Sequence, residues 1–208
     1  PVLAHTVPAE WVATPEASAE RAILYFHGGS YNSGSIVSHR SLAANIANSA
    51  KTRALIVDYR LAPEYPFPAA VEDANLSYRW LLENGFSPDR IVIAGDSCGG
   101  GLALSLLISL RDADEPLPAA AVCLSPWTDL TCTGESWETN ARKDIMLDPG
   151  ALKESAQLYL GESDPRTPLA SPLYADLTDL PPVLVQVGSD ELILSDATRL
   201  AEQAQAAG

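Results

Sequence analysis

Short apolar runs alternate with amphipathic stretches along the whole chain. Ala22–Phe26, Ala54–Tyr59, Ile91–Ala94, Ala119–Leu124 and Pro182–Val187 are β-prone and almost continuously apolar, the pattern of strands buried on both faces. Between them, Leu42, Ala43, Ile46 and Ala47 predict one helix. Val71, Ala74, Tyr78, Leu81 and Leu82 share a face of a second, which Gly85 closes. Leu102–Ile108 predicts a nearly all-apolar helix, Asp148-Pro149 starts another through Leu152, Ala156 and Leu160, and a last one begins near Leu194. Residues 6–14 predict an early strand interrupted by Pro8. The three prolines between Arg60 and Pro68 exclude regular structure there. Residues 126–150 have no period and predict an irregular insertion with short helices. The alternation gives an α/β class: a mostly parallel central sheet with helices on both faces, forming one domain over residues 1–208.

Composition narrows the function. A hydrophobic fraction of 47% over 208 residues supports a real core. A net charge of −14 argues against nucleic acid or an anionic membrane as partner, because both are met by basic patches. Cys98, Cys123 and Cys132 have no metal-type spacing and predict small buried residues in a reducing compartment, hence a cytoplasmic location. No apolar run is long enough to insert in a membrane, and no signal peptide opens the chain. Pro1 at the start, and Gly208 inside an amphipathic helix, predict truncation at both ends.

The chemistry is concentrated at strand ends. Gly95-Asp96-Ser97-Cys98-Gly99, between an apolar strand and an apolar helix, fits the G-x-S-x-G turn that presents a nucleophilic serine at its apex. The flanking glycines let strand and helix approach each other closely. A serine nucleophile needs oxyanion donors and a base. The loop His27-Gly28-Gly29-Ser30 after another strand can aim backbone N–H groups at one point, and the Cys98 N–H at the helix start adds one more. No Lys-Ser/Thr pair follows that loop, which excludes the phosphate-loop reading. Asp190, just after the last strand, is the expected acid, since it follows the serine in chain order. Asp96 is too close to the serine to orient a base, Asp58 is expected to fix the proline-rich loop, and Glu191 and Asp196 read as helix-start and solvent charges. Tyr31, Trp127, Leu192 and Ile193 are candidate lining residues for a substrate pocket. The base is missing from its expected place. His5, His27 and His39 all precede Ser97, and none follows Asp190.

Together these segments resemble the hormone-sensitive-lipase-like (family IV) carboxylesterases of the α/β-hydrolase superfamily. The matching motifs are His27-Gly28-Gly29-Ser30, Asp58-Tyr59-Arg60-Leu61-Ala62-Pro63-Glu64 with Pro66-Phe67-Pro68-Ala69, Gly95-Asp96-Ser97-Cys98-Gly99-Gly100 and Gly188-Ser189-Asp190-Glu191. The resemblance implies hydrolysis of short- to medium-chain esters or lactones through an acyl-serine, with no metal or cofactor. Ser97 is then nucleophile and Asp190 triad acid, with oxyanion donors on Gly29, Ser30 and Cys98 and Gly28 as a further candidate. It also implies an N-terminal helical cap and a histidine some tens of residues beyond the acid. Neither is in this sequence, so a core fragment with little turnover of its own is the expectation. Ser30 and Cys98 depart from the usual glycine and alanine. The resemblance extends to a plant hormone receptor that only binds its ligand, so a non-catalytic small-molecule receptor is the alternative. The oligomeric state stays open, a homodimer being one option.

Overall fold

A computed structural model describes residues 1–208. Seven strands form one sheet: β1 (Val2–Ala4), β2 (Val7–Val12), β3 (Ser18–Phe26), β4 (Thr52–Val57), β5 (Ile91–Asp96), β6 (Ala120–Leu124) and β7 (Val183–Gln186). Their spatial order is β1-β2-β4-β3-β5-β6-β7. The five strands from β4 to β7 run parallel, and β1 and β2 add an antiparallel edge. The helices are α1 (Ile36–Ser49), α2 (Ala69–Glu83), α3 (Cys98–Asp112), α4 (Ser136–Thr139), α5 (Pro149–Leu160) and α6 (Leu194–Ala207).

The continuous apolar runs mark strands covered on both sides. On one face Ile23, Tyr25, Ala54, Ile56 and Ala94 pack on Ala43 and Ala47 of α1. The alternate residues Leu24, Phe26, Leu55, Val57, Ile91 and Ile93 enter the larger core with α2 and α3. Helix α3 is apolar all round because it is buried along nearly its whole length. No helix is long and apolar enough to cross a membrane.

Several local expectations take a different form. The first hairpin strand, β1, is too short to announce itself by periodicity. Helix α1 buries only its alanines and leaves Leu42 on the surface, where it borders a cleft. Asp58 lies past the end of β4 and does not fix the proline-rich loop; its Oδ1 reaches the Ile36 N–H at the start of α1, at 3.4 Å. That loop is fixed by Asp73 of α2, which accepts the Arg60 N–H at 2.8 Å and the Arg60 Nε at 3.0 Å. Gly85 ends α2 as expected, with φ 88° and its N–H on Leu82 O.

The tightest packing lies where β5 turns into α3. A Cβ on Gly99 would collide with the carbonyl oxygens of Phe26 and His27, and one on Gly95 with the carbonyl of Gly99. These obstacles are backbone, so they cannot rotate away. Gly99→Ala is expected to destabilise the fold by about 3 kcal/mol, the upper end for overpacking. The urea unfolding midpoint at unchanged slope measures it, and a shift equivalent to under about 0.5 kcal/mol would refute this account of the turn.

Candidate active site

Ser97 stands between β5 and α3 with φ 54° and ψ −124°, a backbone conformation that costs a non-glycine residue on the order of 1–3 kcal/mol. Four hydrogen bonds hold it there. Its N–H donates to Leu124 O at 2.8 Å, and its carbonyl accepts from Gly100, Gly101 and Trp127 at 3.0, 3.2 and 3.0 Å.

Beside it, the loop after β3 turns through Gly29 (φ 126°), Ser30 (φ 55°) and Tyr31 (φ 62°). Ser30 thus adopts a left-handed conformation open to a non-glycine residue, so the serine leaves the loop's path intact. The loop is anchored on all sides. His27 Nδ1 donates to Gly28 O at 2.8 Å, and its ring stacks on Tyr59 with centroids 4.4 Å apart. Tyr59 Oη donates to His27 O at 2.6 Å, and the Tyr31 N–H donates to Cys98 Sγ at 3.2 Å. The Gly29 N–H donates to no acceptor in the protein. The Cys98 N–H is the first of α3 and likewise donates to no acceptor in the protein, whereas those of Gly100 and Gly101 close on Ser97 O. The Gly28 N–H is different: it is committed to Asp96 Oδ1 at 3.0 Å, which removes it from the set of free donors.

A cleft of about 560 Å³ opens at these strand ends. Ser97 and Asp190 both line it, with Leu42, Leu124, Leu147 and Ile193 among its apolar walls. Ile145 and Met146 stand at the same cleft 98% and 87% exposed. Of the pocket residues expected from sequence, only Ile193 is in the wall. Tyr31, Trp127 and Leu192 are in the core instead, with Tyr31 stacked on Tyr159 at 3.8 Å. Lys143–Leu147 take their place, from the stretch without periodicity.

The loop carrying Asp190 is braced by polar residues that carry no sequence signal of their own. Asn140 Nδ2 donates to the carbonyls of Ser189 and Glu191 at 3.1 and 3.0 Å. Asp144 accepts the N–H groups of Leu192, Met146 and Leu147. Burial raises the affinity of Asp144 for a proton, but these three donors outweigh it and hold the carboxyl below its ordinary value. Glu191 is no solvent charge: its Oε1 accepts from Ser125 Oγ at 2.9 Å and from the Gly188 N–H at 2.7 Å. Asp196 is fully buried, and its Oδ2 accepts the N–H groups of Thr128 and Asp129 at 2.9 and 2.8 Å. Burial, against the pull of those donors, pushes its pKa up to about 7.

None of the three histidines touches Ser97 or Asp190. His5 Nε2 pairs with Glu83 at 3.3 Å and His39 Nε2 with Asp96 at 3.3 Å. His27 is buried, its Nε2 has no partner, and desolvation lowers its pKa. Cys98, next to the serine, is equally buried, which pushes its thiol up to about 11.

Known proteins share this fold and much of this sequence. A family described as having the alpha/beta hydrolase fold matches residues 23–208. An acetyl-hydrolase of Streptomyces hygroscopicus is 52% identical over 96% of this chain and 67% of its own length. An esterase of Acinetobacter venetianus is 42% identical over 92% of this chain and 64% of its own. The crystal structure of an esterase from the bacterial hormone-sensitive lipase family superposes with a TM-score of 0.98 at 53% identity, covering 100% of this chain and 70% of that one. The chain belongs to the α/β-hydrolases, in their hormone-sensitive-lipase-like esterase branch. It spans about two thirds of the length of the curated relatives it matches.

Two titrations test the electrostatics of this hydrolase core. Burial raises Cys98 to about 11 and Cys123 and Cys132 each to about 12, so all three thiols are protonated at neutral pH. The native protein should give no fast reaction with a disulfide reagent at pH 7.5, and all three thiols should react after denaturation. The folded state also binds the Asp196 proton more tightly than the unfolded state. This residue's stabilising share is therefore present below about pH 4 and lost as pH rises to about 7. Asp196→Asn should flatten the fall in stability over that window, and an unchanged profile would contradict the assignment.

Proposed function

We propose that the full-length protein hydrolyses short- to medium-chain carboxylic esters, lactones among them, through an acyl enzyme on Ser97. The observation that carries this reading is the strained, four-times-anchored elbow at Ser97 opening on a cleft that Asp190 also lines. Ser97 Oγ adds to the ester carbonyl, and the displaced electron pair becomes an oxyanion. The N–H groups of Gly29, Ser30 and Cys98 are the donors that receive it. Collapse expels the alcohol, which leaves with the proton that the serine gave to the histidine base; water then attacks the acyl-serine, releases the carboxylic acid and restores the enzyme. Asp190 is the group that would orient the histidine base. That histidine is none of His5, His27 or His39, whose partners lie elsewhere, and we place it in sequence following Gly208. The name of one relative, acetyl-hydrolase, agrees with a small acyl group. The apolar wall of Leu42, Leu124, Leu147 and Ile193 suits an aliphatic chain.

The test is hydrolysis of p-nitrophenyl acetate and butyrate by the 208-residue chain and by the full-length protein. The full-length protein should turn over, with Ser97→Ala and Asp190→Asn falling by about 10⁴-fold or more in kcat. The 208-residue chain should remain near the buffer rate. Robust Ser97-dependent turnover by that chain would overturn the placement of the base, and turnover surviving Ser97→Ala would overturn the esterase reading itself.

A further inference from the structure

We infer that Asp96 is a positioning residue for the oxyanion donors, tying the nucleophile's strand to the loop that carries them; this rests on the esterase reading above. As the last residue of β5, Asp96 is covalently next to Ser97. Its carboxylate meets three separate elements. Oδ1 accepts the Gly28 N–H at 3.0 Å and the Tyr25 hydroxyl of β3 at 2.7 Å, and Oδ2 lies 3.3 Å from His39 Nε2 in the first half of α1. Space is as tight as the bonding, because a Cβ on Gly28 would strike the Asp96 carboxylate. Its third neighbour is also fixed: His39 Nδ1 bonds Ser38 Oγ at 2.9 Å, and Ser38 closes the capping box of α1.

The geometry has a chemical consequence. Ser97 and the Gly29 N–H must converge on one carbonyl group, yet they belong to different strand-end loops. Within the loop after β3, the carbonyl of the Gly28–Gly29 peptide accepts from His27 Nδ1 at 2.8 Å, a contact that does not reach the nucleophile's strand. The Asp96 side chain adds a tie from the nucleophile's strand to the loop, through the Gly28 N–H of the preceding peptide, one residue before the donor. Donors for an oxyanion act only within a narrow range of distance, and misplacement by about 1 Å costs on the order of 10²-fold in rate. Asp96 lines the cleft beside Ser97, but its carboxylate bonds to Gly28 and Tyr25 and pairs with His39 rather than meeting the serine hydroxyl. Its effect belongs to the tetrahedral state, in which the oxygen has moved and become charged, rather than to the bound ester.

The experiment compares Asp96→Ala, Asp96→Asn and His39→Ala in the full-length protein. It measures kcat and KM for p-nitrophenyl butyrate, and the affinity for a trifluoromethyl ketone that Ser97 converts to a tetrahedral oxyanion adduct. Asp96→Ala should lose about 100-fold in kcat and a similar factor in ketone affinity, with KM changed less than threefold. Asp96→Asn keeps an acceptor for Gly28 and Tyr25 and should recover to within about tenfold of the wild type. His39→Ala, on a partly exposed helix, should lose about threefold to tenfold in kcat. A folded Asp96→Ala that retains kcat within threefold would overturn the inference. So would a loss of kcat not mirrored in ketone affinity. If Asp96→Ala does not fold, His39→Ala decides by the same two readouts, and an unchanged kcat and ketone affinity overturn the proposal. Failure of the esterase reading is separate, since it would show as activity that persists in Ser97→Ala.

Discussion

Everything at the working end of this molecule depends on one backbone-to-backbone approach, that of Gly99 at the start of α3 to the carbonyls of Phe26 and His27 at the end of β3. The contact leaves no room for a side chain. It forces the chain at Ser97 through φ 54°, lifts that serine out of the sheet's edge and brings the His27–Tyr31 loop alongside it. The strain is held by the surrounding hydrogen bonds to Leu124, Gly100, Gly101 and Trp127, so β6 and the loop after it act as part of the elbow. A protein that needed only a strand-helix connection would have no cause to maintain this geometry.

A second layer of interactions converts the crowded turn into a site. The loop after β3 is clamped from beneath by the Tyr59–His27 stack and from the side by Cys98 and Asp96. Asp190's loop is clamped separately, by Asn140, Asp144 and the Ser125–Glu191 pair. The two halves of the cleft therefore have independent supports, both built from buried and half-buried polar groups that hydrogen-bond across elements. Such groups are costly to bury unless satisfied.

Much of this was legible in the sequence. Strands buried on both faces read as continuous apolar runs, and the glycines around Ser97 announced the elbow because they answer a steric demand that is local in the chain. What was not legible is non-local. Nothing about Asn140 or Asp144 in an aperiodic stretch reveals that they support a loop some fifty residues later. Large apolar residues such as Tyr31 and Trp127 look alike in sequence whether they line a cleft or fill a core, and here they fill it. Asp196 and Glu191 read as helix-start charges because acidic residues are common there, yet each accepts hydrogen bonds from distant backbone or side chains. The role expected of Asp58 falls to Asp73 for the same reason: the loop's anchor sits on α2, a feature of packing and not of spacing.

We propose that the strain and anchoring at the elbow serve to make Ser97 a nucleophile. Reaction of the full-length protein with a p-nitrophenyl alkylphosphonate, followed by peptide mass spectrometry, tests it most directly. The expected result is release of one equivalent of p-nitrophenolate, with one phosphonyl group carried by Ser97 and none in Ser97→Ala. A phosphonyl group on any other residue, or labelling undiminished in that variant, would contradict it.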